Sequence, residues 1–422
     1  MATMSLSEEL RWRGLVFDET EGAKGHLDGA PIAAYIGFDP TAESLHVGSL
    51  LPIMILVHLQ RHGHRAIALV GGATGMIGDP SGRSSERQLL DEAQLQRNVE
   101  GIRAQLGRFL NFEGAQAAKL VNNYDWCGGL SFIQVLRDVG KHFPLGMMLG
   151  KESVKRRIST GGISYTEFSY MLLQAYDFLH LSREEDCLLQ LGGSDQWGNI
   201  TAGIELIRRV TERRAHGLVM PLVTSSTGEK FGKSAEGAIW LDAARCSPFK
   251  FYQFWLNQGD EDALRYVKYF TLCSREDFEA LEARHSAAPE QREAQRFLAR
   301  DVTERVHGAE ALARAERSTA ALFGGDLLSL SAEELEEVFQ GAPSAELPRE
   351  EDAAPRLVDA LVAVGMSSSK GEARRLIKGG GVSVNQQRVQ DPQASLGDFE
   401  PVEGYLFILR RGSKQYFLLR WR

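Results

Sequence analysis

Residues 32–36 form a short continuous apolar run, the pattern of a strand buried on both faces. The loop 37–50, GFDPTAESLHVGSL, separates it from a longer apolar segment at 50–59. That segment predicts a helix closed by Gly63, with Pro52 in its first turn, where a missing N–H forfeits no intrahelical bond. Further strand-like runs fall at 66–70, 119–122, 188–191 and 216–223, with helical patterns at 84–110 and 130–181 between them. Strand and helix signals in alternation predict a doubly wound, Rossmann-like α/β domain with a parallel sheet over residues 1–224, carrying an insertion at about 130–165. From 225 to 323 the pattern turns helical: Ser247-Pro248 starts one helix, Ser274 caps another and 289–307 is a third. Residues 324–350 read as a linker with one short helix after Ser331. Residues 351–422 read as a small α+β domain. Its second helix is boxed by Ser369 and Glu372 and ended by Gly379-Gly380-Gly381, and two β runs flank a turn at Gly412-Ser413.

Charge sharpens that division. The 48 Lys and Arg against 56 Asp and Glu leave a net −8, which argues against a general nucleic-acid coat. Residues 351–422 nevertheless hold 11 basic and 8 acidic residues, behind a 324–350 stretch with 7 acids and 1 base. A basic tail after an acidic connector predicts a polyanion gripped locally. Within the tail, Lys370, Arg374 and Lys378 recur at i, i+4, i+8 on one helix face. With Arg375, Arg410, Arg411 and Lys414 they favour RNA-backbone contact over a merely solvated face.

Four widely spaced cysteines form no C-x-x-C, against a zinc knuckle or disulfide framework and in keeping with a reducing cytosol. The N-terminal MATMSLSEELRWRG mixes charges of both signs and carries a Ser5–Glu8 capping box, so a short helix is expected there rather than a signal peptide. The longest apolar run is too short to span a bilayer, and a soluble, cytoplasmic protein without membrane contact is expected.

Three stretches can carry chemistry. A strand, a loop with His46 and a Gly48 at a helix start would present backbone N–H groups and a dipole end to an anion. The Gly-rich loop GGATGMIGDPSG at 71–82 lacks the G-x-G-x-x-G fingerprint. It is either a turn needing positive φ or a close backbone approach to a substrate, with Asp79 at the carboxyl edge where open α/β sheets bind ligands. Tyr170, Gln174 and Asp177 recur at i, i+4, i+7 among apolar Met171, Leu172, Leu173 and Phe178, so one helix face can aim three polar groups into one pocket.

The segments YIGFDPTAESLHVGSL, GGATGMIGDPSG, TEFSYMLLQAYDF, GGSDQWGNI and KFGKS resemble, in order and spacing, those of bacterial tyrosyl-tRNA synthetases, and the likeness runs through nearly the whole chain. It implies activation of L-tyrosine by ATP, with Mg2+ accompanying the nucleotide and no tightly bound cofactor or resident metal, and then transfer to the 3′ end of a tRNA. The catalytic group implied is Thr41, His46, Lys230, Lys233 and Ser234, with ATP also meeting Gly37, Asp39, Gly48, Ser49, Gly193 and Asp195. Tyr35 and Asp177 would read the phenol, Asp79, Tyr170 and Gln174 the ammonium, and Gln196 would sit near the carboxylate. Arg83 and Arg87 fall in the family's mobile loop, the insertion at 130–165 would form a homodimer interface, and the tail resembles a small RNA-binding module shared with a ribosomal protein.

Three positions depart from the pattern. Ser49 stands where a second His is frequent, Phe231-Gly232 replaces Met-Ser, and Arg83 replaces a frequent Lys. Two alternatives compete with this reading. A tryptophan enzyme is disfavoured by Tyr35 with Asp177, another nucleotidyltransferase of the same superfamily by the long C-terminal RNA module, and a catalytically dead RNA-binding cofactor by the intact His46, Lys230, Lys233 and Asp177.

Overall fold

The structure, a computed structural model, describes residues 4–81, 90–226, 231–234, 237–349, 354–412 and 415–422, without the side chains of residues 153, 160, 233 and 234. Two compact units emerge, Met1–Cys246 with Phe254–Val306, and Ser247–Gln253 with His307–Arg422.

The first unit is built on strands β1 (Asp18–Glu19), β2 (Ala33–Phe38), β3 (Arg65–Val70), β4 (Lys119–Asn122), β5 (Cys187–Gly193) and β6 (His216–Met220), ordered β1-β6-β5-β2-β3-β4. All neighbours run parallel except the short edge strand β1, which pairs antiparallel with β6. Five of these strands, β2 to β6, fall on the strand-like runs of the sequence; β1 is only Asp-Glu and carries no such signal. The order reverses at β2, whose neighbours β3 and β5 lead to opposite sides of the sheet, and the crevice between β2 and β5 is the place where open α/β sheets bind ligands.

Helices cover both faces. Leu50–Arg61 has most of its residues buried, which explains why its apolar pattern is nearly unbroken. Glu92–Leu106, N-capped by Asp91, buries the apolar stripe Leu95, Val99, Ile102 and Leu106, with Asn98 and Gln105 beside it. Tyr165–Glu184 and Trp197–Thr211 pack on the opposite face, where Met171, Ala175, Phe178, Ala202 and Leu206 join Tyr35 and Ile67 in one core.

The second unit holds β9 (Ser344–Leu347), β10 (Val382–Val384), β11 (Gln387–Val389), β12 (Leu406–Arg411) and β13 (Gln415–Trp421) in the order β11-β10-β12-β13-β9, while β7 (Lys233–Ser234) and β8 (Gly237–Ala238) form a separate ribbon in the first unit. Phe407, Leu409, Phe417 and Leu419 face the helices Leu357–Ala363 and Lys370–Lys378, whereas Leu406, Ile408 and Leu418 face Leu327, Leu335 and Phe339. A sheet buried on both faces accounts for the continuous LFIL of β12.

Residues 324–349 are therefore folded, where the sequence suggests a linker over 324–350. Ala332–Val338 starts in a Ser331 capping box and covers one sheet face, and β9 adds a parallel edge strand to β13. The acidic run misleads because its carboxylates have internal partners: Glu334 bonds Arg317 at 2.8 Å, Glu336 bonds Arg420 at 2.6 Å and Glu337 accepts the Phe249 N–H at 2.8 Å. The C-terminal fold thus begins well before residue 351.

Candidate active site

A cavity of about 460 Å³ opens at the carboxyl edge of β2 and β5. Its wall includes Tyr35, Gly37, Asp39, Asp79, Tyr170, Gln174, Asp177, Gly193, Asp195 and Gln196, ten of the positions singled out from the sequence. Four of these are aspartates, and no Lys, Arg or His is among the described residues lining it. Such a lining suits a ligand with a cationic end.

At one end lie Tyr35 on β2 and Asp177 on the helix Tyr165–Glu184, with relative exposures of 1% and 2%. The Tyr35 ring packs against Phe178 with centroids 5.4 Å apart, and its buried hydroxyl has no hydrogen-bond partner among the described residues. Burial, and then the nearby Asp177, hold that hydroxyl well above the ordinary phenol range, so it stays protonated. The Asp177 carboxylate accepts Asn123 Nδ2 on Oδ2 at 2.9 Å and Trp126 Nε1 on Oδ1 at 2.8 Å, with the Cys127 thiol 3.7 Å from Oδ1. Burial pushes this carboxyl up to about 7, although the three donors favour the ionised form.

Further along, the same helix presents Tyr170 and Gln174 two turns and one turn before Asp177, respectively. Tyr170 donates to Asp39 Oδ2 at 3.0 Å, and Thr74 donates to Asp39 Oδ1 at 3.0 Å. Asp39, assigned to nucleotide by the resemblance, here orders Tyr170. Gln196 Nε2 donates to Asp79 Oδ2 at 2.6 Å, while its Oε1 accepts from Gln174 at 3.3 Å and Asn199 at 3.1 Å. Burial, then the charge of Asp79, raises Asp195. The Gly-rich loop approaches closely, but its neighbours are protein groups. A Cβ on Gly71 would stand 2.5 Å from Asp39 Oδ1, and one on Gly72 would collide with Asn122. Among the described residues of the loop, positive φ occurs only at Gly78, 87°, after the helical turn Thr74–Ile77.

The first signature lies beside this cavity in the chain, but Thr41, His46, Gly48 and Ser49 do not line it. His46 caps a 3-10 turn, Val47–Ser49, its Nδ1 accepting the Gly48 N–H at 3.0 Å. That bond places the proton of the neutral ring on Nε2. A Cβ on Gly48 would strike the His46 ring, with Nδ1 at 2.9 Å, so glycine is required there. The second signature is tied to the first: Ile239 N–H donates to Gly232 O at 2.9 Å, Val47 N–H donates to Ile239 O at 2.9 Å, and a Cβ on Gly232 would stand 2.6 Å from Val47 Cγ2. Lys230, Arg83 and Arg87 lie outside the described residues, as do the side chains of Lys233 and Ser234.

Several functional groups escape the sequence. Asn123, Trp126 and Cys127 contact Asp177 from a segment 50 to 54 positions earlier in the chain, signalled only by the paired Asn122-Asn123 at the end of β4. Gln190 stands opposite Tyr35 in register, lines the cavity at 2% exposure, and its amide oxygen has no partner among the described residues.

In the second unit Arg374, Arg375 and Lys378 are exposed on one helix, and Arg410 is half-buried on β12. Lys370 pairs with Asp359 at 2.6 Å, and Arg411 donates to the Met366 carbonyl at 2.9 Å, so both of these also hold the fold. Lys414 lies outside the described residues.

A doubly wound sheet with this pair of signature turns is the architecture of a class I tRNA synthetase, and the family model for tRNA synthetases class I (W and Y) matches residues 27–324. A second model, for the tyrosine–tRNA ligase SYY-like C-terminal domain, matches 334–419. The tyrosine–tRNA ligase of Bacillus caldotenax is 53% identical over 422 residues, covering 99% of this chain and 100% of its own. That of Roseiflexus castenholzii is 51% identical over 420 residues, covering 99% of each. A solved C-terminally truncated mitochondrial tyrosyl-tRNA synthetase of Aspergillus nidulans superposes with a TM-score of 0.69 at 30% identity, covering 76% of this chain and 95% of that one. The chain belongs to the tyrosine–tRNA ligase family of class I tRNA synthetases.

Proposed function

We propose that the chain joins L-tyrosine to ATP, releasing pyrophosphate, and then transfers the tyrosyl group to the 3′ end of its tRNA. The observation that carries this reading is the buried Tyr35 hydroxyl, without a partner among the described residues, lining one cavity with the Asp177 carboxyl and, along the same wall, the acidic Asp79. A phenol oxygen accepts from the Tyr35 hydroxyl while its own hydrogen goes to Asp177. The substrate ammonium meets Asp79, Tyr170 and Gln174, and its carboxylate is left facing the nucleotide.

In the first step a tyrosine carboxylate oxygen bonds the α-phosphorus and the bond to the pyrophosphate oxygen breaks. In the second a ribose hydroxyl of the tRNA bonds the carbonyl carbon and AMP leaves. Nothing covalent is asked of the protein; it aligns two anions and absorbs charge developing on the leaving phosphates. Asp195 and Gly193 take the ribose side, and His46 Nε2 donates to phosphate. The cavity wall among the described residues supplies no cation, so Lys230 and Lys233, with Arg83 and Arg87, supply the positive charge. Magnesium enters with ATP as part of the substrate. Arg374, Arg375 and Lys378, with Lys370, Arg410 and Arg411, hold tRNA backbone.

Tyrosine-dependent ATP–pyrophosphate exchange in the absence of RNA tests the reading. Exchange with tyrosine and not with phenylalanine or tryptophan is expected; exchange with tryptophan, or none, contradicts it.

The working form is a homodimer formed through residues 130–165. Phe132 and Ile133 are 63% and 67% exposed, and Leu136, Leu145, Leu149 and Ile158 add to the same apolar insertion. A patch of that kind on a soluble protein marks an interface. Ile133→Asp is expected to convert the species seen by sedimentation equilibrium from dimer to monomer at micromolar concentration; an unchanged dimer contradicts the assignment.

A further inference from the structure

The helix Asp260–Phe270 grips the second-signature loop at both ends. On the near side, Asp262, 4% exposed, accepts the Ser226 N–H on Oδ2 at 2.9 Å and the Ser226 hydroxyl at 2.9 Å. One turn on, Tyr266 Oη and Arg265 Nη2 donate to the Thr224 carbonyl at 3.1 and 2.7 Å. On the far side the Phe231 ring lies parallel to Phe270, centroids 5.5 Å apart and planes 6° apart, with Tyr266 at 5.0 Å, Phe254 at 5.6 Å and Trp255 at 5.8 Å. Trp255, Tyr266 and Phe270 are themselves buried to within 1%, so the cage is rigid. Gly232, next to that anchored ring, then hands the chain to Ile239 and Val47.

We infer that Phe231 and Asp262 are positioning residues for activation: they hold Phe231 and Ser226, the described residues flanking the second signature, against a helix that does not line the β2–β5 cavity, and so set where Lys230 and Lys233 can act. The inference rests on the ATP-dependent activation proposed above. The aromatic ring at position 231 is then not interchangeable with a small side chain. It fills a cage of four aromatic rings, and edge-to-face and stacked contacts of this kind set ring orientation as well as burying area. Misplacing a catalytic group by about 1 Å costs on the order of 10²-fold in rate, so loosening either post must appear in turnover. Tyrosine, bound on the far wall of the sheet crevice, should not notice.

The test is pyrophosphate exchange by the full-length chain carrying Phe231→Ala, Phe231→Met or Asp262→Asn, with tyrosine binding followed separately by equilibrium dialysis. Phe231→Ala is expected to lower kcat by roughly tenfold or more, with the tyrosine dissociation constant within about twofold of the unsubstituted chain. Phe231→Met should recover most of the loss because Met also fills an aromatic cage. Asp262→Asn should lower kcat in the same direction. Unchanged kcat in Phe231→Ala overturns the inference, as does a matching loss of tyrosine binding. If the alanine variant does not fold, unchanged kcat in Asp262→Asn overturns it instead. Absence of exchange in the unsubstituted chain would overturn the activity itself, a separate result.

Discussion

Asp177→Asn should lower kcat/KM for tyrosine by roughly 10²–10³-fold while leaving the KM for ATP within about threefold, because two buried hydrogen bonds of about 1–3 kcal/mol each are disturbed. Both carboxylate oxygens of Asp177 accept from donors, Asn123 Nδ2 and Trp126 Nε1. The amide of an asparagine offers one acceptor and one N–H2, so one of those donors must face another donor in a buried site. The acceptor for the phenolic hydrogen disappears at the same time. Phenylalanine, which brings no hydrogen to donate, should lose less, and the Tyr/Phe ratio should narrow. Tyrosine-specific ligases are the standard illustration that a site built to bond a hydroxyl rejects the analogue lacking it, since its buried groups are then left unpaired. Unchanged selectivity would remove Asp177 from phenol recognition.

The same residue sets a pH dependence. Burial pushes the Asp177 carboxyl up to about 7, and only its ionised form accepts from a phenol while keeping both present donors. The free-enzyme profile, read as kcat/KM for tyrosine, should therefore fall as pH drops through about 7 and level off above it. In Asp177→Asn that acidic limb should vanish.

Removing residues 324–422 should abolish aminoacylation, by about 10³-fold or more, while tyrosine-dependent exchange survives within a fewfold, since the basic helix Lys370–Lys378 and β12 go together. The boundary matters. A cut at 351, which the acidic stretch invites, would leave β9 without β13 and the helix Ala332–Val338 without Leu406, Ile408 and Leu418. That shorter deletion should aggregate or lose both activities through misfolding. Exchange and aminoacylation assays on the two deletions, with their melting curves, separate RNA grip from folding; equal loss of both activities in a well-folded 324–422 deletion contradicts the assignment.

What could be read in advance was whatever shows as a run or a period. The parallel strands are apolar runs because helices bury both faces, and the recurrence of Tyr170, Gln174 and Asp177 falls on one helix, where all three line the cavity. Contacts between distant segments leave no such trace. Asn123 and Trp126 reach Asp177, and Gln190 comes to face the site only through its register with Tyr35. Short elements also escape: β1 has two polar residues, and β10 and β11 are joined at Asn385 and Gln386, whose positive φ values of 47° and 66° make a tight hairpin without glycine. The linker reading fails for a different reason, because charge marks a solvated connector only when its partners are absent, and Arg317 and Arg420 supply them.

A crystal structure of the chain with L-tyrosine bound would bear most directly on phenol recognition in the β2–β5 crevice. The substrate hydroxyl should lie within hydrogen-bond distance, about 2.6–3.2 Å, of both Tyr35 Oη and an Asp177 carboxylate oxygen, with the ammonium against Asp79. Tyrosine seated elsewhere, or in the cavity with its hydroxyl turned away from both groups, would contradict the account.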